Sequence, residues 1–446
     1  MDGSRQRSVR VLMLPWLAHG HISPFLELAK KLTKRNFQIY LCSTPVNLTS
    51  IKPKLPQKYS VSIKLVELHL PSLPELPPHY HTTNGLPLNL MPTLKQAFDM
   101  SSPNFANILS TVKPDLLIYD FVQPWAPQLA SSMNIPAVNF ISFGAVMISF
   151  MLHAAKYNGV DHEFPFPEIY LSDFMRANFN QFIETSADEH LDRVLKCMER
   201  SNSFILMKTF RELEGKYMNY LSTTFGMKVV PAGPLVQDPD LEDDNVGIIN
   251  WLDKKERSST VFVSFGSEYY LSKEDIEEIA HGLELSEVNF IWVLRFPFGE
   301  KMELEEALPT GFLGRVREKG MVVENWAPQL KILRHSSIGG FVSHCGWSSV
   351  IESLNFGVPI IAMPMQLDQP MNARLVEDIG VALEVKRENN GRIKRGNVAK
   401  VIKEVVFEKI GDGIRKKARE MSDLIKEKGE EEIDDMVKEL AKLCGM

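Results

Sequence analysis

A chain of 446 residues, 44% of them apolar, carries enough hydrophobic material for two globular domains of about 200 residues each. Its 50 basic and 56 acidic side chains leave a net charge of −6, which excludes a general attraction to nucleic acid or anionic lipid, so any affinity for phosphate must be built locally. The cysteines Cys42, Cys197, Cys345 and Cys444 are scattered without a CxxC pair and no run reaches the roughly 18 apolar residues of a membrane span, so free thiols, no cysteine metal site and a soluble cytosolic protein are expected.

Val9 to Leu14 predicts a first strand. After the loop Pro15 to His21, Ile22, Phe25, Leu26, Ala29 and Leu32 recur at helical spacing while Lys30, Lys31, Lys34 and Arg35 stay on the wet face. Pro24 fits the first turn of that helix. Gln38 to Ser43 predicts the next strand, so the chain opens with βαβ and His21 lies at the sheet edge where such folds bind ligands. A loop histidine beside a glycine is more often a local hydrogen-bonding group than a catalyst. What distinguishes His21 is the strand Leu116 to Tyr119, which delivers Asp120 to the same edge. A histidine within reach of a carboxylate can take a proton from an alcohol while the carboxylate stabilises the imidazolium formed. His21 and Asp120 are therefore the candidate catalytic pair.

Pro71 to Pro92 carries so many prolines that it predicts loops, and His79 and His81 within it read as solvated loop groups rather than metal ligands. Ile135 to Val138 predicts a strand, followed by a loop through Ser142, Phe143 and Gly144 and an apolar helix to about Leu152. Phe121, Trp125 and Phe143 are candidates for an apolar substrate wall, with ordinary core packing as the alternative. Tyr157 to Asp192 is weakly periodic and predicts a variable loop with short helices. Ser203 to Lys208, a helix from Glu212 to about Thr223, and Val229 to Ala232 complete the first half. Gly233-Pro234 and the acidic run Asp238 to Asp244 read as a linker.

In the second half, Thr260 to Phe265 predicts a strand ended by Gly266-Ser267, whose backbone N–H groups could meet a phosphate. Ser272 and Asp275 cap a helix with the buried stripe Ile276, Ile279, Ala280 and Leu283. Strands follow at Phe290 to Leu294 and Met321 to Val323. The stretch Trp326 to Gln369 then reads as a β-loop-α-β unit, with strands Gly339 to Ser343 and Val358 to Met363 and a helix Val350 to Phe356. Its loop His344 to Ser349 sits at a helix N-terminus, where unpaired N–H groups and the helix dipole favour an anion such as phosphate. Gly346 lets the backbone approach, and His344, Ser348 and Ser349 add donors. Glu352 suits the hydroxyls of a ribose, Trp326 offers a flat face to a base, and Asp368-Gln369 supplies two polar side chains for a sugar. Any one of these residues alone would be read as packing or a satisfied polar group; the combination is what points to a nucleotide sugar. Amphipathic helices around Ala373 to Ile379 and Val398 to Val406 follow, and the Lys- and Glu-rich segment Ile414 to Leu443 predicts a helix with a solvated face.

The stretch Trp326 to Gln369 resembles the nucleotide-sugar signature of the plant UDP-dependent glycosyltransferases in its WAPQ start, HCGW core and DQ end, and Gly20-His21-Ile22-Ser23-Pro24 resembles that family's GHxxP motif. The resemblance implies an α/β protein of GT-B type, two facing doubly wound Rossmann-like domains. Residues 1–235 would bind the acceptor, 236–250 link, 251–425 bind the UDP-sugar, and 426–446 form a helix packing back on the first domain. It implies Trp326 on the uracil with Ala327 beside it, Gln329 and Glu352 on the ribose, and His344, Gly346, Ser348, Ser349 and Ser267 around the diphosphate. Trp347, Asp368 and Gln369 would face the transferred sugar, with Ser142 near it. Gln369 is the family's glucose-type ending. Ser348 stands where most members carry Asn, and Met363 where many carry Trp.

The activity so implied is that of an inverting O-glucosyltransferase with His21 as base and Asp120 as its partner. It would use UDP-glucose as co-substrate, act without metal or further cofactor on a small-molecule acceptor, and work as a monomer without nucleic acid or membrane. CSTPVNL, HLPSLPELPP and VSFGSEY resemble the branch-forming members that add glucose to a sugar of flavonoid or triterpenoid glycosides. First-step glucosylation of an aglycone remains open, as do a UDP-sugar epimerase and a non-catalytic UDP-sugar-binding protein.

Overall fold

The short apolar runs assemble into two parallel sheets. The computed structural model describes residues 8–446 except 158, 160–162, 187–190, 240–245, 268 and 297–301. The first sheet contains β1 Val9–Leu14, β2 Phe37–Ser43, β3 Ile63–Glu67, β4 Leu116–Tyr119, β5 Ala137–Ile141, β6 Ile205–Met207 and β7 Val229–Pro231, in the order β3-β2-β1-β4-β5-β6-β7. The second contains β8 Thr260–Ser264, β9 Asn289–Leu294, β10 Gly320–Glu324, β11 Ile338–Ser343, β12 Ile360–Ala362 and β13 Ala382–Glu384, in the order β10-β9-β8-β11-β12-β13. All these pairings are parallel. Parallel neighbours need crossover connections, and the helices that supply them cover both faces. Hence β4 and β8 are buried at every position.

Alternation along the strands separates the two faces. Val9, Val11 and Met13 pack with Phe25, Leu28 and Leu32, whereas Leu12 and Leu14 pack with Phe98 and Phe105. In the second sheet Val261 and Val263 join Ile276, Leu283 and Ile402, while Phe262 stacks on Phe341 at 5.0 Å between ring centres. Gly339 allows β11 its place, since a Cβ there would lie 2.2 Å from the Ser258 carbonyl oxygen.

Compactness divides the chain into two units. One comprises Met1–Ala145, Ser186–Leu235 and Gly429–Met446, the other Val146–Thr185 and Val236–Lys428. In the first unit the end of the helix Lys409–Leu443 adds Ile433, Met436 and Leu440 to the core beneath β1 and β2. Arg35 pairs with Asp434 at 2.6 Å and with Glu430 at 2.9 Å beside that apolar seam. Most of the helix's other charged side chains are exposed, with pairs such as Lys438–Asp435 at 2.7 Å.

Several local expectations change. The first helix runs His19–Thr33, so Gly20 and His21 lie in its first turn rather than in a loop, and the Ala18 carbonyl accepts from the His21 N–H at 3.0 Å. Pro24 therefore falls in the second turn, where its missing N–H leaves the Gly20 carbonyl without its usual helical donor. β5 extends to Ile141 because Asn139 fits within the sheet, its amide donating to the Tyr119 carbonyl at 3.1 Å. The helix of the signature stretch begins at Trp347, so Trp347, Ser348 and Ser349 occupy its first turn.

Within the segment expected to be loop with short helices, Asp173–Ser186 is a helix of 14 residues. Met175 and Phe179, one turn apart, are buried, and Phe179 meets Phe150 edge-on; the intervening Arg176 and Asn178 disguise the stripe. His81 is buried rather than solvated, with Nε2 3.3 Å from the Leu76 carbonyl, and burial pushes its pKa down. Residues 240–245 of the expected linker lie outside the described residues, and Val246–Leu252 is helical. Cys42, Cys197, Cys345 and Cys444 are free. Among the described residues no helix is long and apolar enough to cross a membrane.

Candidate active site

In each sheet the chain winds outward on one side and then returns to continue on the other. The reversal falls between β1 and β4 in the first sheet and between β8 and β11 in the second. Loops leaving the carboxyl ends of two such strands diverge and open a crevice for a ligand.

In the first unit β1 leads to His21 and β4 to Asp120. The pairing of Leu14 with Tyr119 brings these strand ends level. His21 Nδ1 lies 2.9 Å from Asp120 Oδ2. The same carboxylate oxygen accepts from the Trp16 N–H at 2.9 Å, and Oδ1 accepts from the Phe121 N–H at 2.8 Å. Asp120 is fully buried and held at both oxygens. Because a carboxylate only accepts, the neutral His21 ring carries its proton on Nδ1 and its lone pair on Nε2. The His21 side chain is 21% exposed.

Phe121 lies against the His21 ring at 5.2 Å and meets Phe143 edge-on at 4.9 Å, so of the expected wall residues Phe121 lies beside the histidine and Phe143 behind it. Buried Ser142 precedes Phe143, and the loop they share is secured by Glu214, whose Oε2 accepts from the Ala145 N–H at 2.8 Å and the Thr209 hydroxyl at 2.6 Å. Trp125 goes elsewhere. It sits edge-on to Phe98 and Phe105, with its indole N–H on Asp99 at 2.9 Å.

In the second unit the pairing of Ser264 with Ser343 sets the end of β8 level with that of β11. His344 follows β11 and is 9% exposed. A Cβ at Gly266 or at Gly346 would come within 2.5 Å of His344 Nε2, so the ring occupies the space that two glycines leave open. Its Nδ1 has no hydrogen-bond partner among the described residues. Burial pushes its pKa down to about 4, only partly offset by the Ser264 backbone, so the ring is neutral near neutral pH. Gly346 is the residue before the helix Trp347–Phe356, so that helix directs its first N–H groups at the same place. Ser267 is exposed beside Gly266, whereas Trp347 is buried at 4% exposure.

Asn325 takes a left-handed conformation and turns the chain after β10, leaving Trp326 at 52% exposure while Ala327 joins the core. Gln329 opens the next short helix, and its amide donates to Glu352 at 2.6 Å and to the Ser349 hydroxyl at 3.4 Å. The expected ribose residues are thus bonded to one another. After β12, Asp368 is the residue before the helix Gln369–Asp378. The Gln369 side-chain oxygen Oε1 accepts from the N–H groups of Met365 and Gln366 at 3.0 and 2.9 Å, which turns its NH2 group to other partners. Ser348 lies in the first turn of its helix, and Met363 is a buried core residue.

Two residues of this site escaped the sequence reading. Arg295 stands just beyond β9 and donates through Nη1 to the Gly266 carbonyl at 3.2 Å. Asn372, one turn after Asp368, donates to the Asp368 carboxylate. A cation one residue past a strand and an Asp–Asn pair at helical spacing were the available signals.

Two doubly wound units with polar side chains gathered at their switch points have the architecture of a GT-B glycosyltransferase. Residues 7–237 match the family model "Glycosyltransferase, N-terminal domain", and residues 246–437 match "UDP-glucoronosyl and UDP-glucosyl transferase". The chain is 58% identical to Mogroside IIIx synthase of Siraitia grosvenorii, over 99% of this chain and 95% of that protein. It is 51% identical to Beta-D-glucosyl crocetin beta-1,6-glucosyltransferase of Gardenia jasminoides, over 97% and 98%. Among solved structures, Phytolacca americana UGT2 complexed with UDP-2fluoro-glucose and pterostilbene superposes with a TM-score of 0.80 at 28% identity, covering 98% of this chain and all of that one. The chain belongs to the plant UDP-dependent glycosyltransferases, in their branch-forming group.

Proposed function

We propose that the chain transfers glucose from UDP-glucose, with inversion, to a hydroxyl of a sugar already attached to a plant natural product. The observation that carries the catalytic part is the His21–Asp120 hydrogen bond at the first switch point. The branch-forming part is supported by the crocetin relative, whose name specifies transfer to a glucosyl compound.

In the reaction Asp120 keeps the His21 proton on Nδ1, and Nε2 takes the proton of the acceptor hydroxyl. The acceptor oxygen bonds to C1 of glucose as the bond from C1 to the UDP oxygen breaks, so an α-linked donor gives a β-linked product. Trp326 and Ala327 meet the uracil, and Gln329 with Glu352 meets the ribose. The diphosphate lies on the N–H groups at the start of the helix Trp347–Phe356, with Ser267, Ser348 and Ser349 beside it. Neutral His344 contributes a hydrogen-bond donor rather than a cation, and the growing charge on UDP is stabilised by fixed dipoles. Asp368 and the Gln369 NH2 group bind the glucose hydroxyls. Free thiols at Cys42, Cys197, Cys345 and Cys444 support a cytoplasmic enzyme, which we take to act as a monomer.

The test mixes purified protein and UDP-glucose with a panel of aglycones and their monoglucosides, following UDP release and product mass. Gain of one hexose on the glucosides alone is the expected result. Gain on free aglycones alone would replace this reading with first-step glucosylation. No transfer from any UDP-sugar, with UDP still bound, would leave a binding role.

A further inference from the structure

The sugar-facing pair Asp368-Gln369 and the turn His344 to Gly346 leave the sheet from different strands, β12 and β11, yet one buried side chain ties them together. Asn372 is fully buried in the helix Gln369–Asp378. Its Nδ2 donates to Asp368 Oδ2 at 2.8 Å and to the Cys345 carbonyl at 3.0 Å. Both neighbours only accept, so the amide is fixed with its NH2 group toward them. Its Oδ1 is buried and has no hydrogen-bond partner among the described residues.

Cys345 needs such a tie. Its φ of 63° is left-handed, a conformation that a residue with a side chain keeps only when its surroundings hold it there. The Ser343 hydroxyl holds its N–H at 3.1 Å, and Asn372 holds its carbonyl. The next residue, Gly346, begins the turn that presents the helix N-terminus. A shift of the Cys345 carbonyl therefore rotates the N–H groups at the start of that helix, and loss of the Asn372 amide takes one hydrogen bond from the Asp368 carboxylate as well.

We infer that Asn372 is a positioning residue for the donor, setting with one amide the carboxylate that meets the glucose and the turn that meets the diphosphate. The inference rests on the donor-site reading above. Asn372 touches neither ligand and acts through Asp368 and Cys345.

The experiment compares Asn372→Ala, Asn372→Asp, Asn372→Ser and Asp368→Asn, measuring kcat, UDP dissociation constant and melting temperature on the folded fraction. Asn372→Ala is expected to lower kcat about tenfold and to weaken UDP about threefold, the loss of a hydrogen bond to a charged group being worth about a factor of ten. Asn372→Asp, which sets an acceptor against two acceptors, should lower kcat further, and Asn372→Ser, which keeps a donor, should recover part of it. Loss of activity in Asp368→Asn with wild-type kcat and UDP binding in the folded Asn372 variants, whatever their melting temperature, would overturn the positioning role. Full transfer by Asp368→Asn would instead overturn the donor-site reading. If Asn372→Ala does not fold, Asn372→Ser decides by the same quantities: a reduced kcat supports the inference and a wild-type kcat opposes it.

Discussion

The two switch points share a topology and differ in chemistry. Each offers a histidine in the segment that follows a central strand, yet His21 is partly exposed and bonded to a carboxylate, whereas His344 is buried between two glycines with its pKa pushed down to about 4. The first arrangement suits a group that must accept a proton and then carry the charge. The second suits a group that stays neutral among backbone N–H groups where an anion is to lie. A doubly wound sheet thus fixes where a ligand is met, and the few residues at the strand ends decide whether that place is basic or anion-binding.

Predictions follow from breaking one arrangement while leaving the other intact. The largest effect is expected for Asp120→Asn, because a carboxamide cannot accept from Trp16, Phe121 and His21 together as Asp120 does. It should lower kcat by about 10³-fold while UDP binding, measured by calorimetry, stays unchanged. Gly266→Ala attacks the other point, since its φ of +76° and the 2.5 Å approach to His344 Nε2 both oppose a side chain. UDP affinity should fall about a hundredfold in titration calorimetry, with the His21–Asp120 pair undisturbed.

The neutrality of His344 predicts a pH effect on stability. Its folded pKa of about 4 lies below the ordinary 6.5, so between these values the unfolded chain binds a proton that the folded chain does not. This contribution to stability is full above pH 6.5 and is lost as pH falls toward 4. At pH 5 the loss is on the order of 2 kcal/mol. His344→Gln should remove that increment, so its urea midpoint should fall less than the wild type's between pH 7 and pH 5. The smallest effect is expected for Trp326→Ala, where loss of stacking on a base should weaken UDP about tenfold and spare kcat at saturating donor.

Much of this division was legible beforehand because it rests on local pattern. β1, β4 and β8 are mainly apolar runs of strand length that lead to chemistry-bearing residues, and the Trp326 to Gln369 stretch carries its candidate ligand groups at short spacing. The start of the first helix was not legible, because Ala18 precedes it and no side chain caps it. The Asp173–Ser186 helix was hidden by polar residues between Met175 and Phe179. Trp125 illustrates a different limit: an aromatic just past a strand end can face either way, and here Asp99 supplies a partner for its indole N–H that fixes its direction. Asn372 depends on a left-handed residue 27 positions away, which no periodicity announces.

On the proposed reading the base and the nucleotide site reside at separate switch points. The most direct test is His21→Ala, with the UDP dissociation constant and the rate of glucose transfer measured on one preparation. An unchanged dissociation constant and a rate reduced by at least about a hundredfold are expected. Undiminished transfer, or loss of UDP binding together with transfer, would contradict that reading.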